Sequence, residues 1–435
     1  MKNNIIKIFK PTYFFLIILI LGFFLRFYNL NFDDFWIDEL STFWIANPEI
    51  SLKDSYLNHK TLEQTPFLFN LAIKAFFWIF GYKIEISRYL PFLFSFMSII
   101  SIAYISKLLS NNNSYIFSSF LVSFNIFLIS YSQELRVYSA LLFFISLSLI
   151  FFLRTTSNNQ RYDLFFFNFF TIISILLHPF ALILLITYLT LFVFFKKNFF
   201  TGINISLILI TFLSLVFYYH FIKSSLTTPS WILQPDLKFF TNFYFSKFFG
   251  SRLIGLIHLF IFIFLISKFF NKIISNYKIT IFFILFIYAY FLPLAYGYFF
   301  KPIILARYII FVLIPITVLF SYLIFELKNL KKTIFIWLIV LVTIGNLFTE
   351  QTIKQFYKQR SVYKPEFTKS LSIIENSNHK YFSFKIEVVT KEIDNATWGN
   401  ALKNYLEFLI SKSKLDISYL NFDKTDNKKI WIFCV

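Results

Sequence analysis

Charged side chains are scarce in this 435-residue chain: Asp, Glu, Lys and Arg make up 14% of it, whereas 58% is hydrophobic. Soluble domains carry roughly 25% charged residues. The shortage, together with repeated apolar runs of about 18 or more residues, predicts a polytopic helical membrane protein and excludes an ordinary soluble one. Apolar and polar residues do not alternate with a period of two, so an outer-membrane β-barrel is not expected.

Cysteine and glycine are also rare. Because Cys434 is the single cysteine, an internal disulfide and a cysteine-based metal site are excluded. The 8 glycines form no nucleotide-binding loop of the Walker or Rossmann type, and no serine nucleophile elbow is present. We therefore expect neither an ATP-driven pump nor a soluble nucleotide-sugar enzyme.

Basic residues outnumber acidic ones, 41 to 22, which gives a formal net charge of +19. Most of this excess lies in short loops between apolar runs, as in the positive-inside rule, and not on the soluble face of a nucleic-acid binder. The loops predict a multi-pass protein of the cytoplasmic membrane with a cytoplasmic N-terminus and an extracytoplasmic C-terminal part. We predict about eleven transmembrane helices, at residues 11–27, 88–108, 115–131, 138–153, 163–178, 180–195, 203–222, 252–270, 279–299, 306–325 and 332–348.

The fold class is therefore all-α in residues 1–348, followed by a small extracytoplasmic α/β domain at 349–435, where the composition becomes mixed. Strands are predicted there at 381–389, 417–422 and 430–435. The first extracytoplasmic loop, 28–87, is too long for a passive connector. Its short apolar stretch, 67–80, is interpreted as an interfacial helix, with a twelfth span as the alternative.

Four acids follow the first span. Asp33 and Asp34 are interpreted as solvated loop charges. Asp38 and Glu39 follow Trp36 in the long loop and are the candidate catalytic pair. A carboxylate can act as general base on a hydroxyl group while a neighbouring acid orients it.

Further polar residues near the interfacial helix are Glu63 and Gln64, which either cap that helix or line a pocket. Arg26 and Arg88 are interpreted as boundary charges whose long side chains reach the headgroups.

A tight turn on the predicted outer side is unusually polar for a connector. Its pocket candidates are Tyr131, Gln133, Glu134 and Tyr138, and its arginine, Arg136, could bind a phosphate in bidentate fashion.

Two later outer turns add candidates. Arg307 is a second phosphate ligand candidate, with Tyr308 beside it. A lone histidine is more often structural, but His178 with Glu63 or Gln64 could bind a divalent cation. No other cofactor is expected.

The order of these motifs resembles the GT-C superfamily of integral membrane glycosyltransferases, and within it the protein O-mannosyltransferase-like branch that includes aminoarabinose transferases. The resemblance covers residues 10–325. Its motifs are Trp-x-Asp-Glu at 36–39, Thr-Pro-x-Leu at 65–68, Phe-Gly with Arg and Pro at 80–91, Tyr-x-Gln-Glu-x-Arg-x-Tyr at 131–138, the histidine at 178 and Ala-Arg-Tyr at 306–308.

The resemblance implies transfer of a sugar from a polyprenyl-phosphate donor to a protein, lipid A-type or glycan acceptor at the extracytoplasmic face. It implies that Asp38 is the catalytic base, that Glu39 completes the motif, and that the transmembrane domain is the catalytic one. Arg136 and Arg307 match positions that contact the donor phosphate or shape the pocket. The acid that binds a metal in some relatives aligns with Gln64 here, and Phe67 replaces the second proline of the family pattern.

The residues also leave two other function classes open. A transporter or flippase of lipid-linked sugars would require charges at mid-bilayer and paired discontinuous helices. A non-catalytic membrane assembly protein would act through its C-terminal domain. All three hypotheses place the protein in membrane lipid, and none involves nucleic acid.

Overall fold

The computed structural model describes residues 11–63, 65–110, 112–158, 160–195, 201–227, 230–348, 364–376, 383–387, 395–411 and 430–434. By their internal contacts these residues form two compact units. We call the first, residues 1–28, 91–132 and 137–353, the membrane unit. We call the second, residues 29–90, 133–136 and 354–435, the loop unit.

The membrane unit is built from long apolar helices. They are α1 (Pro11–Phe27), α6 (Tyr89–Leu109, whose first two residues belong to the loop unit), α7 (Ser114–Ser123), α8 (Ile126–Ser132), α9 (Tyr138–Asn158), α10 (Arg161–Leu177), α11 (Leu182–Phe195), α12 (Thr201–Thr227), α13 (Leu237–Asn242), α14 (Phe245–Phe248), α15 (Arg252–Ser275), α16 (Tyr277–Phe299), α17 (Leu313–Phe325) and α18 (Asn329–Leu347). Short 3₁₀ turns, Pro179–Ala181 and Ile310–Val312, precede α11 and α17.

Every predicted span coincides with a helix or a broken helix pair, so a multi-pass helical membrane protein is confirmed. Among the described residues, five helices are long and apolar enough to cross a membrane: Ile84–Leu109, Tyr138–Ser157, Arg252–Ser275, Tyr277–Phe299 and Asn329–Leu347. The bent pair α7 and α8 makes a sixth if it is one span. The apolar parts of the other described helices are shorter than 18 residues, including Ile205–Tyr219 within α12, so the count of eleven stays a prediction.

Helices α7 and α8 meet at an angle of 57°. The break frees backbone carbonyls at the end of α7, and Arg26 of α1 donates to two of them, Val122 O and Ser123 O, both at 2.8 Å. Its other hydrogen bonds reach Ser95 Oγ and Gly22 O. The Arg26 side chain is fully buried, so its interpretation as a boundary charge is wrong: it caps a broken helix.

Helix α17 lies in the core of the membrane unit, with every residue from Leu313 to Ile324 buried. A helix that is apolar on all sides is covered by lipid or by other parts of the protein, and the burial of α17 shows that protein covers it. The chain before it, from 301 to 309, is not helical, although the sequence predicted a span from 306. Arg307 and Tyr308 therefore lie in a turn and not on a helix.

The loop unit contains short helices from the first loop and the C-terminal segment. They are α2 (Ile37–Ile45), α3 (Leu52–Leu62), α4 (Leu68–Phe80), α5 (Ile84–Ser87), α19 (Phe367–Asn376) and α20 (Asn395–Ile410). Strands β1 (Ser383–Glu387) and β2 (Ile430–Cys434) pair in parallel, with Ser383 opposite Ile430. Helix α20 lies between them in the chain, as a parallel pair requires a long connection. The predicted strand at 417–422 lies outside the described residues.

The first loop and the C-terminal segment share one core. Asp34 is buried and accepts hydrogen bonds from the Thr368 backbone N–H, from the Thr368 hydroxyl and from Tyr405 Oη. The Phe35 ring stacks on Tyr405 at 4.8 Å. Asp34 is thus an anchor for the C-terminal segment, and its interpretation as a solvated loop charge is wrong. The boundary at 348/349 stays a prediction, while the contacts group residues 29–90 with the C-terminal segment.

Candidate active site

Helix α2 carries both candidate catalytic acids in its first turn. The chain enters this helix from an extended residue, Trp36, and no side chain caps its N-terminus. Asp38 and Glu39 are therefore close to the positive end of the helix dipole, which favours their ionised forms. Consecutive residues on a helix point about 100° apart, so the two carboxylates enter different surroundings.

Glu39 is completely buried and surrounded by donors. Its Oε1 accepts from Arg88 Nε at 2.8 Å and from the Leu135 backbone N–H at 2.8 Å, and its Oε2 accepts from Arg88 Nη2 at 3.0 Å. Lys364 Nζ lies 3.5 Å from Oε2. Burial raises the pKa of Glu39, but the charges of Arg88 and Lys364 and these hydrogen bonds outweigh it and hold the pKa below its ordinary value. Glu39 is therefore ionised, and its side chain has no exposed oxygen.

The Arg88 guanidinium completes this buried pair. It also donates to Leu30 O at 3.2 Å and to Asp33 O at 2.9 Å, and it lies 5.0 Å from the centre of the Phe35 ring. Only 1% of the side chain is exposed. The interpretation of Arg88 as a boundary charge is therefore wrong. It ties the residues preceding α2 to the start of α6, and so fixes where α2 begins.

Asp38 differs from its neighbour because 23% of its side chain is exposed. Its Oδ2 lies 3.8 Å from Arg136 Nη2, an ion pair too long for a hydrogen bond. Its backbone carbonyl accepts from Arg136 Nη1 at 2.8 Å and from the hydroxyls of Ser41 and Thr42. The backbone of Asp38 is thus held from three sides, while the carboxylate remains accessible to a substrate.

Arg136 forms its tightest contacts with Glu63. Nη1 is 2.5 Å from Oε1 and Nη2 is 3.0 Å from Oε2, the bidentate arrangement typical of arginine and carboxylate. Ser41 donates a further hydrogen bond to Glu63 Oε1 at 2.8 Å. Burial raises the pKa of Glu63, but the Arg136 charge and these hydrogen bonds outweigh it, so the pKa lies below its ordinary value. The guanidinium of Arg136 therefore bridges two carboxylates.

The contacts of Glu63 decide whether it fits the predicted metal site. Both oxygens of Glu63 are already held by Arg136, so Glu63 does not fit the role of a metal ligand in this arrangement. Gln64 lies outside the described residues. Within the parts of the chain that the structure describes, no three His, Cys, Asp or Glu side chains come together in a way that could hold a metal ion. The cation between the acids of this site is a guanidinium.

The turn that supplies Arg136 also supplies Glu134. The Arg136 N–H donates to Glu134 O at 2.8 Å, which closes the turn tightly. Glu134 Oε1 lies 3.6 Å from Lys364 Nζ, with 14% of each side chain exposed. Gln133 is half-buried at the start of the same turn. The loop unit thus gathers Asp38, Glu39, Glu63, Glu134 and Arg136 around α2.

The remaining candidates meet in the membrane unit. The His178 ring lies 5.2 Å from Tyr308 and 6.2 Å from Tyr138, and Tyr138 lies 5.3 Å from Tyr131. His178 is buried, and its Nδ1 accepts from the Phe180 N–H at 3.2 Å. The four residues form an aromatic group, and the described contacts of the histidine fit the structural role better than metal binding.

Arg307 packs against two aromatic rings, with its Cζ 5.6 Å from the centres of both Tyr308 and Trp231. Trp231 was not singled out from the sequence. It is 65% exposed, and its loop is tied down by Ser230, whose hydroxyl donates to Pro302 O at 2.7 Å. The sequence does contain a signal for this residue, an isolated Trp in a polar loop opposite the Ala-Arg-Tyr motif. Because the chain has so many aromatic residues, this signal is not specific enough to single out Trp231.

The structure therefore brings the candidates together in two groups, one in each unit. The prediction that both groups line one cavity stays a prediction. Sequence reasoning missed Lys364 and gave Arg88 the wrong role, because their acidic partner Glu39 lies far away in the chain.

The fold is shared with solved glycosyltransferases. ArnT from Cupriavidus metallidurans in the apo state aligns over 95% of this chain and 89% of its own, with a TM-score of 0.56 and 12% identity. The same protein bound to undecaprenyl phosphate aligns over 92% of this chain and 70% of its own, with a TM-score of 0.53 and 12% identity. The Archaeoglobus fulgidus oligosaccharyltransferase in complex with Zn and sulfate aligns over 92% of this chain and 66% of its own, with a TM-score of 0.51 and 10% identity.

These neighbours are GT-C glycosyltransferases. This chain has the GT-C fold. The resemblance seen in the sequence is thus confirmed at the level of the fold. No protein-family model matches the chain, and no curated protein sequence matches it. Because identities of 10–12% carry the fold alone, the function has to be argued from the site.

Proposed function

We propose that this protein is a membrane glycosyltransferase that moves a sugar from a polyprenyl-phosphate donor to an acceptor hydroxyl. The observation that carries the proposal is the arrangement around Asp38. A partly exposed carboxylate lies beside a buried guanidinium, on a backbone fixed by three hydrogen-bond donors. This arrangement occurs in a fold shared with ArnT, which has been solved with undecaprenyl phosphate.

In this mechanism Asp38 is the general base. It accepts the proton of the acceptor hydroxyl as that oxygen attacks the anomeric carbon of the donor sugar. The bond between that carbon and the phosphate oxygen breaks, and the polyprenyl phosphate leaves with the electron pair. Because attack and departure occur on opposite sides, a single displacement inverts the anomeric carbon.

Arg136 serves this step by holding the backbone of Asp38 in place and by keeping a positive charge beside its carboxylate. Glu63 orients the guanidinium, and Glu39 holds the start of α2 through Arg88. We therefore propose that Glu39 positions the base and does not itself take the proton. The predicted phosphate-binding roles of Arg136 and Arg307 stay predictions.

A lipid-linked donor explains how the reaction can run without a nucleotide site. Outside the cytoplasmic membrane no nucleotide sugar is available, so the activation energy has to arrive with the lipid. We propose that the protein lies in that membrane with the loop unit on the extracytoplasmic side. The side follows from the positions of the basic loops. Helix α4 supports contact of the loop unit with the membrane surface, because it exposes Trp78, Ile79 and Phe80 while it buries Phe69 and Phe77, as an interfacial helix would.

The proposal can be tested with purified protein in proteoliposomes. Undecaprenyl-phosphate sugars are supplied singly, together with envelope lipids and proteins as acceptors, and mass spectrometry measures both the undecaprenyl phosphate released and the sugar on the acceptor. We compare Asp38→Asn with Asp54→Asn, an exposed acid of the same loop.

The expected result is sugar transfer by the wild type and by Asp54→Asn, with a loss of about 10²- to 10⁴-fold in Asp38→Asn. Movement of intact donor across the bilayer without a covalent product would instead favour a transporter and contradict the proposal. Equal transfer rates for the wild type and Asp38→Asn would remove the mechanism.

A further inference from the structure

Lys364 is the first described residue of the C-terminal segment, and it lies between two acids of the loop unit. Its Nζ is 3.5 Å from Glu39 Oε2 and 3.6 Å from Glu134 Oε1. Only 14% of its side chain is exposed, so it is held in the site and does not extend into solvent. The next lysine along the chain, Lys369, is different: 63% of its side chain is exposed, and it pairs with Glu366 in the same segment.

The ion pairs of the site form two sets. In the first, Arg136 faces both Asp38 and Glu63, and the set carries one net negative charge. The second set contains two cations and two carboxylates and is neutral. Its members are Arg88, Glu39, Lys364 and Glu134. The neutrality of the second set depends on Lys364.

We propose that Lys364 is a positioning residue for the transfer reaction: the C-terminal segment supplies the cation that keeps the surroundings of Asp38 from becoming more negative. This inference rests on the proposed function, because it concerns an anionic donor. Without Lys364, the two sets together would carry two net negative charges. The additional charge would repel the donor phosphate, because the sugar attached to that phosphate has to be bound beside Asp38.

The size of this effect follows from Coulomb's law. A unit charge about 8–12 Å from the phosphate, at an effective dielectric constant of about 20, changes the affinity roughly tenfold to thirtyfold. The effect falls mainly on the KM for the donor, because the charge acts on binding while the base itself is unchanged. A purely structural role of Lys364 would lower the amount of folded protein instead.

Charge and structure can be separated by restoring the charge balance in another way. Lys364→Met removes the cation, and the double variant Lys364→Met with Glu134→Gln makes the second set neutral again without restoring the contact. Lys364→Arg keeps the charge. Lys369→Met is the matched control on the same segment, with an exposed lysine outside the site. The readouts are donor kcat and KM in proteoliposomes, and size-exclusion profiles and thermal unfolding in detergent.

We expect Lys364→Met to raise the donor KM of the folded protein roughly tenfold or more, the double variant to recover most of this loss, and Lys364→Arg and Lys369→Met to resemble the wild type. Wild-type kinetics in Lys364→Met would overturn the inference. A higher donor KM in Lys364→Met that Glu134→Gln does not lower again would also overturn it, because the contact of Lys364 with the two acids, and not its charge, would then be responsible. An inactive wild type would count against the proposed function and not against this inference, so the two failures are distinguishable.

Discussion

Replacing Glu39 by glutamine tests the division of labour between the two neighbouring acids. The Glu39 carboxylate is fully buried and receives two hydrogen bonds from Arg88, whose own side chain is 1% exposed. The Glu39→Gln variant would keep the shape of the side chain but leave a buried guanidinium facing a neutral amide. Removing one partner of a buried ion pair costs about 3–5 kcal/mol, because the remaining charge has lost its compensation. Lys364 would lose its charged partner at this position at the same time.

The assay is chemical or thermal unfolding of the detergent-solubilised variant, next to transfer activity per folded molecule. We expect Glu39→Gln to lose about 3–5 kcal/mol of stability, while the fraction that stays folded still transfers sugar. Combining Glu39→Leu with Arg88→Met should recover part of the stability, since Arg88 is then no longer left as an uncompensated buried charge, although Lys364 and the Leu135 N–H still lose their acceptor. A Glu39→Gln protein as stable as the wild type but inactive would refute the reasoning and return Glu39 to a catalytic role.

Three further predictions concern single residues. Arg26→Met should lower the unfolding free energy by about 1–3 kcal/mol, because the carbonyls at the end of α7 lose the hydrogen bonds from this arginine. Arg252→Met, which changes an exposed arginine, should leave the unfolding free energy unchanged. Differential scanning fluorimetry in detergent measures both variants. The pKa of Glu63 in the folded protein is below its ordinary value of 4.5, so the pairing of Glu63 stabilises the fold above about pH 4.5. This contribution should disappear as the pH falls through the folded pKa. Glu63→Gln should therefore flatten this part of the curve of stability against pH. Arg136→Lys cannot form the bidentate pair with Glu63, so kcat should fall roughly tenfold or more while the donor KM changes little. The magnitude follows because a hydrogen bond to a charged group is worth about 1.5–3 kcal/mol. An unchanged kcat would show that Arg136 does not position the base.

Local pattern was sufficient to predict the helices of the membrane unit. A run of apolar residues in a chain this poor in charge has to be buried in lipid or in protein, and a helix satisfies its backbone in either place. Pattern could not foresee that Arg26 caps the break between α7 and α8, because its acceptors Val122 and Ser123 are almost 100 residues away. It also placed the start of the α17 span too early, since apolar composition continues through the turn before it.

The candidate site was predicted in part. The Trp-x-Asp-Glu pattern located the two acids, but only burial separates them: Glu39 is enclosed and Asp38 is partly exposed. The sequence favoured a phosphate as the partner of Arg136 and a metal as a partner of Glu63 or Gln64. It did not predict that Arg136 pairs with Glu63, because this contact joins two segments that are distant in sequence and meet beside α2. Lys364 could not be assigned from sequence, since no pattern links a lysine beyond the last span to an acid in the first loop.

The most direct test of the central claim is the chemistry of the cell envelope. A strain lacking the gene is complemented with either the wild type or Asp38→Asn at equal protein levels, and mass spectrometry compares envelope glycolipids and glycoproteins. The account predicts that one sugar modification disappears in the deletion strain, returns with the wild type and stays absent with Asp38→Asn, while an unused polyprenyl-phosphate sugar accumulates. Full return of the modification with Asp38→Asn would contradict it.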